Sequence, residues 1–286
     1  MGGDGLHLDR RTASQQQSIQ VGPKVDGYDV SRTPATFHAR SLELLDDLPA
    51  GDDPWFLYVP SHLVHGPIVP DPEWQGRSGV SAYGDFVLQL DSYEGELVDR
   101  IDAAGKAEDT IVVFTSDNGA SGVCDLPGLR ARGHGPSNGR RGHKTDIWEG
   151  GHREPTFVRW PGQVEAGAVG DHLVCLSDLF ATLDDVLGIE LPADAAEDSV
   201  SMLPLWRGGD EAVRTEVVSH SGAGGFALRQ GEWKLEFVTA GGGMDAQAEA
   251  EETGVPLRFE PGHLHRLDVD PAEQHGLTDQ EPERVA

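Results

Sequence analysis

Between residues 83 and 119 the chain changes its hydrophobic period once, and that change limits its fold more than any other feature. Tyr83, Val87, Leu90, Leu97 and Ile101 recur at helical steps, with one extra turn at Glu94, and Gly105 follows as a C-terminal cap. Ile111, Val112, Val113 and Phe114 then form a short β-branched run that reads as a buried strand. The run stops at Asp117, Asn118 and Gly119. Trp55 to Val59, bounded by Pro54 and Pro60, reads as an earlier buried strand. Strand, helix, strand in this order is the mark of an α/β sheet covered by helices. Ligand sites in such sheets gather at the carboxyl ends of strands, where residues 61–67 and 116–119 would fall.

With 286 residues, the chain can bury one large core plus a small appendage. A formal net charge of -27 argues against nucleic acid or an anionic membrane as a partner held by bulk electrostatics. Cys124 and Cys175 can make at most one disulfide and set no stapled framework, so the compartment stays open. No run approaches the ~20 apolar residues that span a bilayer. The first residues hold no apolar signal core, so the chain reads as soluble and without an export signal of its own.

The organisation reads as three parts. Residues 1–35 are polar, without periodicity, and read as a loop or remnant. Residues 36–220 carry the main body. It begins in a helix with Phe37, Leu42, Leu44 and Leu45 on its buried side, and continues through the elements above to a strand at 156–160. Ser177 then stands where it can cap a helix carrying Leu179, Phe180, Leu183, Val186 and Leu187 that ends at Gly188. Residues 221–286 alternate in short runs at 226–229, 233–238 and 264–269, which predicts a small antiparallel sheet with a helix. The acidic, glycine-rich stretch 241–253 reads as an exposed loop.

Chemistry concentrates in residues 110–155. A carboxylate and an amide at the end of a strand, Asp117 and Asn118, offer oxygen ligands to a hard cation, although Asp-Asn-Gly by itself is a common turn. Arg130, Arg132, His134, Arg140, Arg141, His143, Lys144, His152 and Arg153 crowd into one glycine-rich segment of an acidic chain, as an anion-binding loop would. His65 follows the expected strand at 55–59. Taken singly, His65 and Lys144 read as an ordinary loop histidine and surface lysine.

Taken in order, these motifs resemble the sulfatase family of the alkaline phosphatase superfamily, arylsulfatases in particular. The order is Ser-His-x-x-His-x-Pro at 61–67, a long helix, Ser-Asp-Asn-Gly at 116–119, and Lys-x-x-x-Trp-Glu-Gly-Gly-x-Arg-x-Pro at 144–155. Segments at 177–183, 198–204, 227–234 and 264–273 extend the likeness across roughly residues 35–278. The resemblance implies an α/β fold: a partial alkaline-phosphatase-like sheet with helices on both faces, followed by a small C-terminal antiparallel sheet with a helix. It implies hydrolysis of sulfate esters at a divalent cation, Ca²⁺ with Mg²⁺ as the alternative. Asp117 and Asn118 match metal ligands, His65 a proton-transfer residue, and Lys144 the lysine that contacts sulfate. The expected ligand is a sulfated small molecule or sulfated polysaccharide, and relatives are often exported. The match leaves the oligomeric state open.

The chain also departs from the family. The family nucleophile is a formylglycine made from Cys or Ser in a Cys/Ser-x-Pro/Ala-x-Arg motif, and neither Cys124 nor Cys175 stands in one. The Asp-Asp metal pair after the first strand and the Gly-Lys-x-x-His segment are absent too. The expectation is therefore the later portion of a sulfatase, with an open sheet edge and an uncovered apolar face. The alternatives are a non-catalytic module that binds sulfated ligands, or a phosphoester or phosphonate hydrolase of the same superfamily.

Overall fold

The computed structural model describes residues 26–48, 53–192, 194–244, 251 and 253–285. The chain divides into two compact units, Met1–Thr110 with Ser121–Pro136, and Ile111–Ala120 with Ser137–Ala286. The fold is mixed α/β.

In the first unit, Asp29 accepts a hydrogen bond from the Ser31 N–H and starts a 3-10 turn, Val30–Arg32, that leads into α1, Thr33–Asp47. The buried stripe of α1 is Pro34, His38, Ser41 and Leu45; of the residues expected inside, Leu45 alone is fully buried. Polar pairing reverses the expectation. His38 stacks on Tyr93 with ring centroids 3.9 Å apart, and its Nε2 lies 2.9 Å from Glu96, so a histidine is accommodated where an aliphatic residue was expected.

Helix α2, Ala82–Ala103, confirms the long period seen in the sequence. Ser81 caps it by accepting from the Gly84 N–H. At the other end the Gly105 N–H reaches Asp102 O and the Lys106 N–H reaches Ile101 O, with Gly105 at φ +69. That is a Schellman ending, and it needs a residue free to adopt left-handed backbone. Buried Asp85 accepts from the Gly76 and Ser78 N–H groups at 2.7 Å each. Burial alone would raise its pKa, but these donors outweigh burial and hold the carboxyl below its usual range. A short helix, α3, spans Leu126–Ala131, and Phe86 and Leu129 are fully enclosed.

The strand expected at 55–59 is not formed. Those residues join no ladder, and Phe56 and Tyr58 are each 76% exposed. An apolar run becomes a strand only where a neighbouring chain takes up its N–H and C=O groups.

In the second unit, β1, Val112–Thr115, pairs antiparallel with β2, Thr156–Arg159. Between them lies a single helical turn, α4, Glu149–His152. Helices α5, Asp178–Leu187, and α6, Leu203–Trp206, follow. A four-stranded antiparallel sheet then runs in sequence order: β3 Glu216–His220, β4 Phe226–Gln230, β5 Trp233–Glu236 and β6 His263–Arg266. A last turn, α7, spans Pro282–Val285. The expected antiparallel sheet is present, and it begins earlier than expected, at β3. Ile147, Trp148, Ala227 and Val238 form a core cluster with Leu257 packed on it.

Helix α5 corrects the sequence reading at its start. Ser177 makes no side-chain cap; the Ala181 N–H is taken by Ser199 Oγ and the Cys175 N–H by Asp178. The two fully buried residues of the helix are polar, while Leu179, Leu183 and Val186 are half-buried. Asp178 and Thr182 are fully enclosed, while Phe180 and Leu187 are 56% and 67% exposed. Arg214 pairs with Asp178, and the Val200 and Met202 N–H groups donate to Asp178 and Thr182. The polar side therefore has specific partners that outcompete a purely hydrophobic orientation.

The glycines expected in an exposed loop differ as well. Gly241, Gly242 and Gly243 are buried, and a Cβ on Gly243 would stand 2.0 Å from Asp146 Oδ1. The rest of that stretch, 245–250 and 252, lies outside the described residues, as do residues 1–25 of the expected N-terminal loop.

Candidate functional site

The end of β1 is fixed from two sides. The Gly119 N–H donates to Gly151 O at 3.1 Å, and the Lys144 N–H donates to Ala120 O at 2.8 Å. A Cβ on Gly119 would fall 1.9 Å from Gly150 O, so glycine is required where the two backbones touch. These contacts set Asp117, Asn118 and Lys144 on adjoining loops of the same unit.

Asp117 is exposed and has no hydrogen-bond or ion-pair partner among the described residues. Asn118 donates through Nδ2 to Gly119 O at 3.1 Å, which leaves its amide oxygen as an acceptor. Lys144 is half-buried, and its ammonium has no carboxylate partner among the described residues.

The loop around Lys144 is held in an unusual backbone conformation. Thr145 has φ +77, a left-handed value that a β-branched residue rarely adopts. Its carbonyl accepts from the Gly222 N–H at 2.8 Å, and its hydroxyl accepts from the Met244 N–H at 3.0 Å. Asp146 accepts from the His143 N–H at 2.9 Å, and the Ile147 N–H donates to Gly241 O at 2.8 Å. The buried glycines thus grip the segment that carries Lys144.

Behind the loop lies a buried ionic group. The Lys234 ammonium lies 2.8 Å from Ile147 O, 3.3 Å from Glu149 and 2.7 Å from Glu273. Arg229 reaches Glu149 at 2.9 Å and Arg153 at 3.9 Å. Burial pushes the Glu149 pKa upward, but Lys234 and Arg229 overcome it and hold the carboxyl below its usual range. For Glu273, burial outweighs Lys234 and the pKa is raised.

Much of the basic segment is occupied in building this framework. Arg141 lies 3.7 Å over the Trp148 ring and donates to Glu273 O. Arg153 pairs with Glu149, while Arg130, Arg132 and His134 belong to the first unit. Arg132, Arg141, His143 and Arg153 thus have protein partners, so those members of the basic segment are engaged in the framework.

Glu154 was not singled out in the sequence. The β1–β2 register pairs Thr115 with Thr156; continued two residues further, it sets Asp117 across from Glu154. Burial, then the Asp117 charge, pushes the Glu154 pKa up to about 7, and its Oε1 is buried without a hydrogen-bond partner among the described residues. Only the register could have revealed this neighbour, since 37 positions separate the two carboxylates.

His65 belongs to the first unit, in the 61–67 segment. It is exposed, with Nδ1 2.8 Å from Gly66 O. Nearby His62 has its pKa lowered by burial and then by His65. Cys124 and Cys175 are free thiols. Burial pushes the Cys124 thiol up to about 11, which makes it a poor nucleophile.

The oxygen donors at 117–118 suit a hard cation in kind but not in number. Among the described residues, no group of three or more His, Cys, Asp or Glu could hold a metal ion. The side chains present therefore fit a partial donor set. They do not supply a formylglycine. No helix among the described residues is long and apolar enough to cross a membrane.

Comparison with known proteins matches residues 16–189 to the sulfatase family model. N-acetylgalactosamine-6-O-sulfatase of Bacteroides thetaiotaomicron is 35% identical over 238 residues, covering 82% of this chain and 45% of its own length. Human arylsulfatase A is 32% identical over 256 residues, covering 85% of this chain and 48% of its own. A solved structure from a Bacteroides thetaiotaomicron locus for metabolism of multiple glycosaminoglycans superposes with a TM-score of 0.77 at 31% identity, over 90% of this chain and 53% of that one. The chain thus spans about half the length of the curated relatives it matches. With the family model covering more than half of the chain and the motifs at 117–119 and 144–155 inside it, the chain belongs to the sulfatase family.

Proposed function

We propose that this chain carries the later portion of a sulfuric ester hydrolase site. In this reading Asp117 and Asn118 provide oxygen donors to a divalent cation, Ca²⁺ or alternatively Mg²⁺. When bound, that cation would withdraw electron density from the oxygens of the sulfate group. Lys144 places its ammonium against the sulfate and offsets negative charge as the ester S–O bond breaks. His65 moves a proton at the leaving-group side. The nucleophile and the remaining metal donors come from polypeptide outside this sequence, because neither cysteine stands in the required motif. The substrate class is a sulfated saccharide or small aryl sulfate, in keeping with the names of the relatives.

The observation that supports this reading is the double backbone clasp, Lys144 N to Ala120 O and Gly119 N to Gly151 O, which ties the backbone of the segment carrying Lys144 to the turn that follows Asp117 and Asn118. The competing readings, a non-catalytic sulfated-ligand module and a phosphoester or phosphonate hydrolase, share this geometry. They separate by assay. In an enzyme completed with the missing motif, aryl sulfate turnover should exceed aryl phosphate turnover, and Lys144→Ala should cut the former about 100-fold. Preferential phosphate ester cleavage, or unchanged sulfate turnover in the variant, would refute the proposal. Sulfate-ester binding without turnover would identify the binding module instead.

A further inference from the structure

Arg140, Arg153 and Arg229 gather around the single carboxylate of Glu149 within the second unit. Arg141 O accepts from the Gly150 N–H at 2.7 Å, and a Cβ on Gly150 would stand 2.5 Å from that oxygen, so the backbone at 140–142 lies against the turn that carries Glu149. Arg153 follows Glu149 by one helical turn and pairs with it at 3.9 Å. Arg229 arrives from β4, opposite Lys234 in the β4–β5 register, and reaches Glu149 Oε2 at 2.9 Å. Burial and then the Arg153 charge pull the Arg140 pKa down; Glu149 works against them, and Arg229 lowers it further.

Glu149 does not balance all three. Its Oε2 is taken by Arg229 and its Oε1 by Lys234, which Glu273 shares. At 3.9 Å, Arg153 attracts Glu149 without hydrogen-bonding to it. The Arg140 side chain makes no hydrogen bond or ion pair among the described residues, and its Nε is buried without a partner. Like charges brought together with donors left unmade are unfavourable until an anion offsets them. The Arg153 and Arg229 side chains are 44% and 22% exposed, so a solute can reach the group. Planar guanidinium forks suit an oxyanion with several acceptor oxygens. A chain with a formal net charge of -27 gathers no anions through its bulk field, so any anion must be held by a local group such as this. We propose that Arg140, with Arg153 and Arg229, forms an oxyanion site separate from Lys144 that takes a sulfate group, either free or as an ester on a saccharide. The site does not depend on the role given to Lys144.

The test is run on the Lys144→Ala chain, so that any anion contact at Lys144 is already gone. Sodium sulfate should raise its thermal midpoint more than sodium chloride of equal ionic strength, and calorimetric titration should show one sulfate site. Adding R140Q should weaken sulfate binding at least tenfold and abolish the extra rise. The sulfate-free midpoint should stay the same or increase, since an unpaired charge has been removed. R140K, which keeps the charge without the planar fork, should bind between the two. Equal sulfate binding with and without R140Q, or a midpoint rise no larger than chloride gives, would overturn the proposal. A sulfate-free midpoint lowered by R140Q would overturn it as well and assign Arg140 to the framework. Titration with N-acetylgalactosamine 6-sulfate separates the sources. Tighter binding than inorganic sulfate assigns the site to a saccharide ester, equal or weaker binding assigns it to the free anion, and both outcomes support the site.

Discussion

Lys234 holds its ammonium 2.7 Å from the Glu273 carboxylate, and their side chains are 1% and 0% exposed. The same ammonium touches Glu149 and Ile147 O, so one cation from β5 joins the C-terminal sheet to the loop that follows Lys144. Removing it by Lys234→Met leaves Glu149 and Glu273 without their shared cation. The expected cost is about 3–5 kcal/mol, read as a lower urea midpoint at unchanged slope. A midpoint equal to that of the parent would show that the cluster rearranges around Arg229.

Gly119→Ala tests the clasp itself. The new Cβ would meet Gly150 O at 1.9 Å, and that oxygen belongs to backbone that cannot swing away. Overpacking of this kind costs about 3 kcal/mol and should lower the thermal midpoint. A midpoint within error of the parent would mean that the two backbones separate easily.

Lys144→Ala should behave in the opposite way. The side chain has no carboxylate partner among the described residues, so stability should change by no more than about 0.5 kcal/mol. Thermal unfolding checks this on the chain as it stands, separately from any effect on sulfate. A large loss of stability would assign Lys144 to the framework.

His265 gives the expected pH response. It is 1% exposed, neither ring nitrogen has a hydrogen-bond partner among the described residues, and burial, then His263, lowers its pKa from 6.5 to about 4. The facing charges are Glu236, Asp270, Lys234 and Arg141. A depressed histidine pKa means that the unfolded chain takes up a proton before the folded one does. Stability contributed by neutral His265 is present above pH 6.5 and is lost as pH falls toward 4, by about 3 kcal/mol in all. His265→Phe should flatten that part of the stability–pH curve; an unchanged slope would mean other groups dominate it.

Legibility followed the range of the interactions. The α2 period, the Schellman glycine and the β-branched run of β1 rest on residues close together in sequence, and each formed nearly where expected. Two features that the sequence did not reveal depend on partners far along the chain. His38 could be buried because Tyr93 and Glu96 receive it, and α5 turned its polar side inward because Arg214 and residues 198–202 bind there. The run at 55–59 erred the other way, since no neighbouring strand takes it up. Glu154 was invisible for the same reason, since it meets Asp117 only through the β1–β2 register.

By itself, the order of residues determined the family motifs, the helical and strand periods, and the types of side chain available to a cation and an anion. The tertiary structure alone decided which of those side chains remain free. It engaged Arg141 and Arg153 with Trp148 and Glu149, left Lys144 without a carboxylate partner among the described residues, and turned Phe180 and Leu187 outward. The physical reason is that a sequence specifies the chemistry of each group, whereas its pairing and its desolvation depend on neighbours that only folding brings within reach.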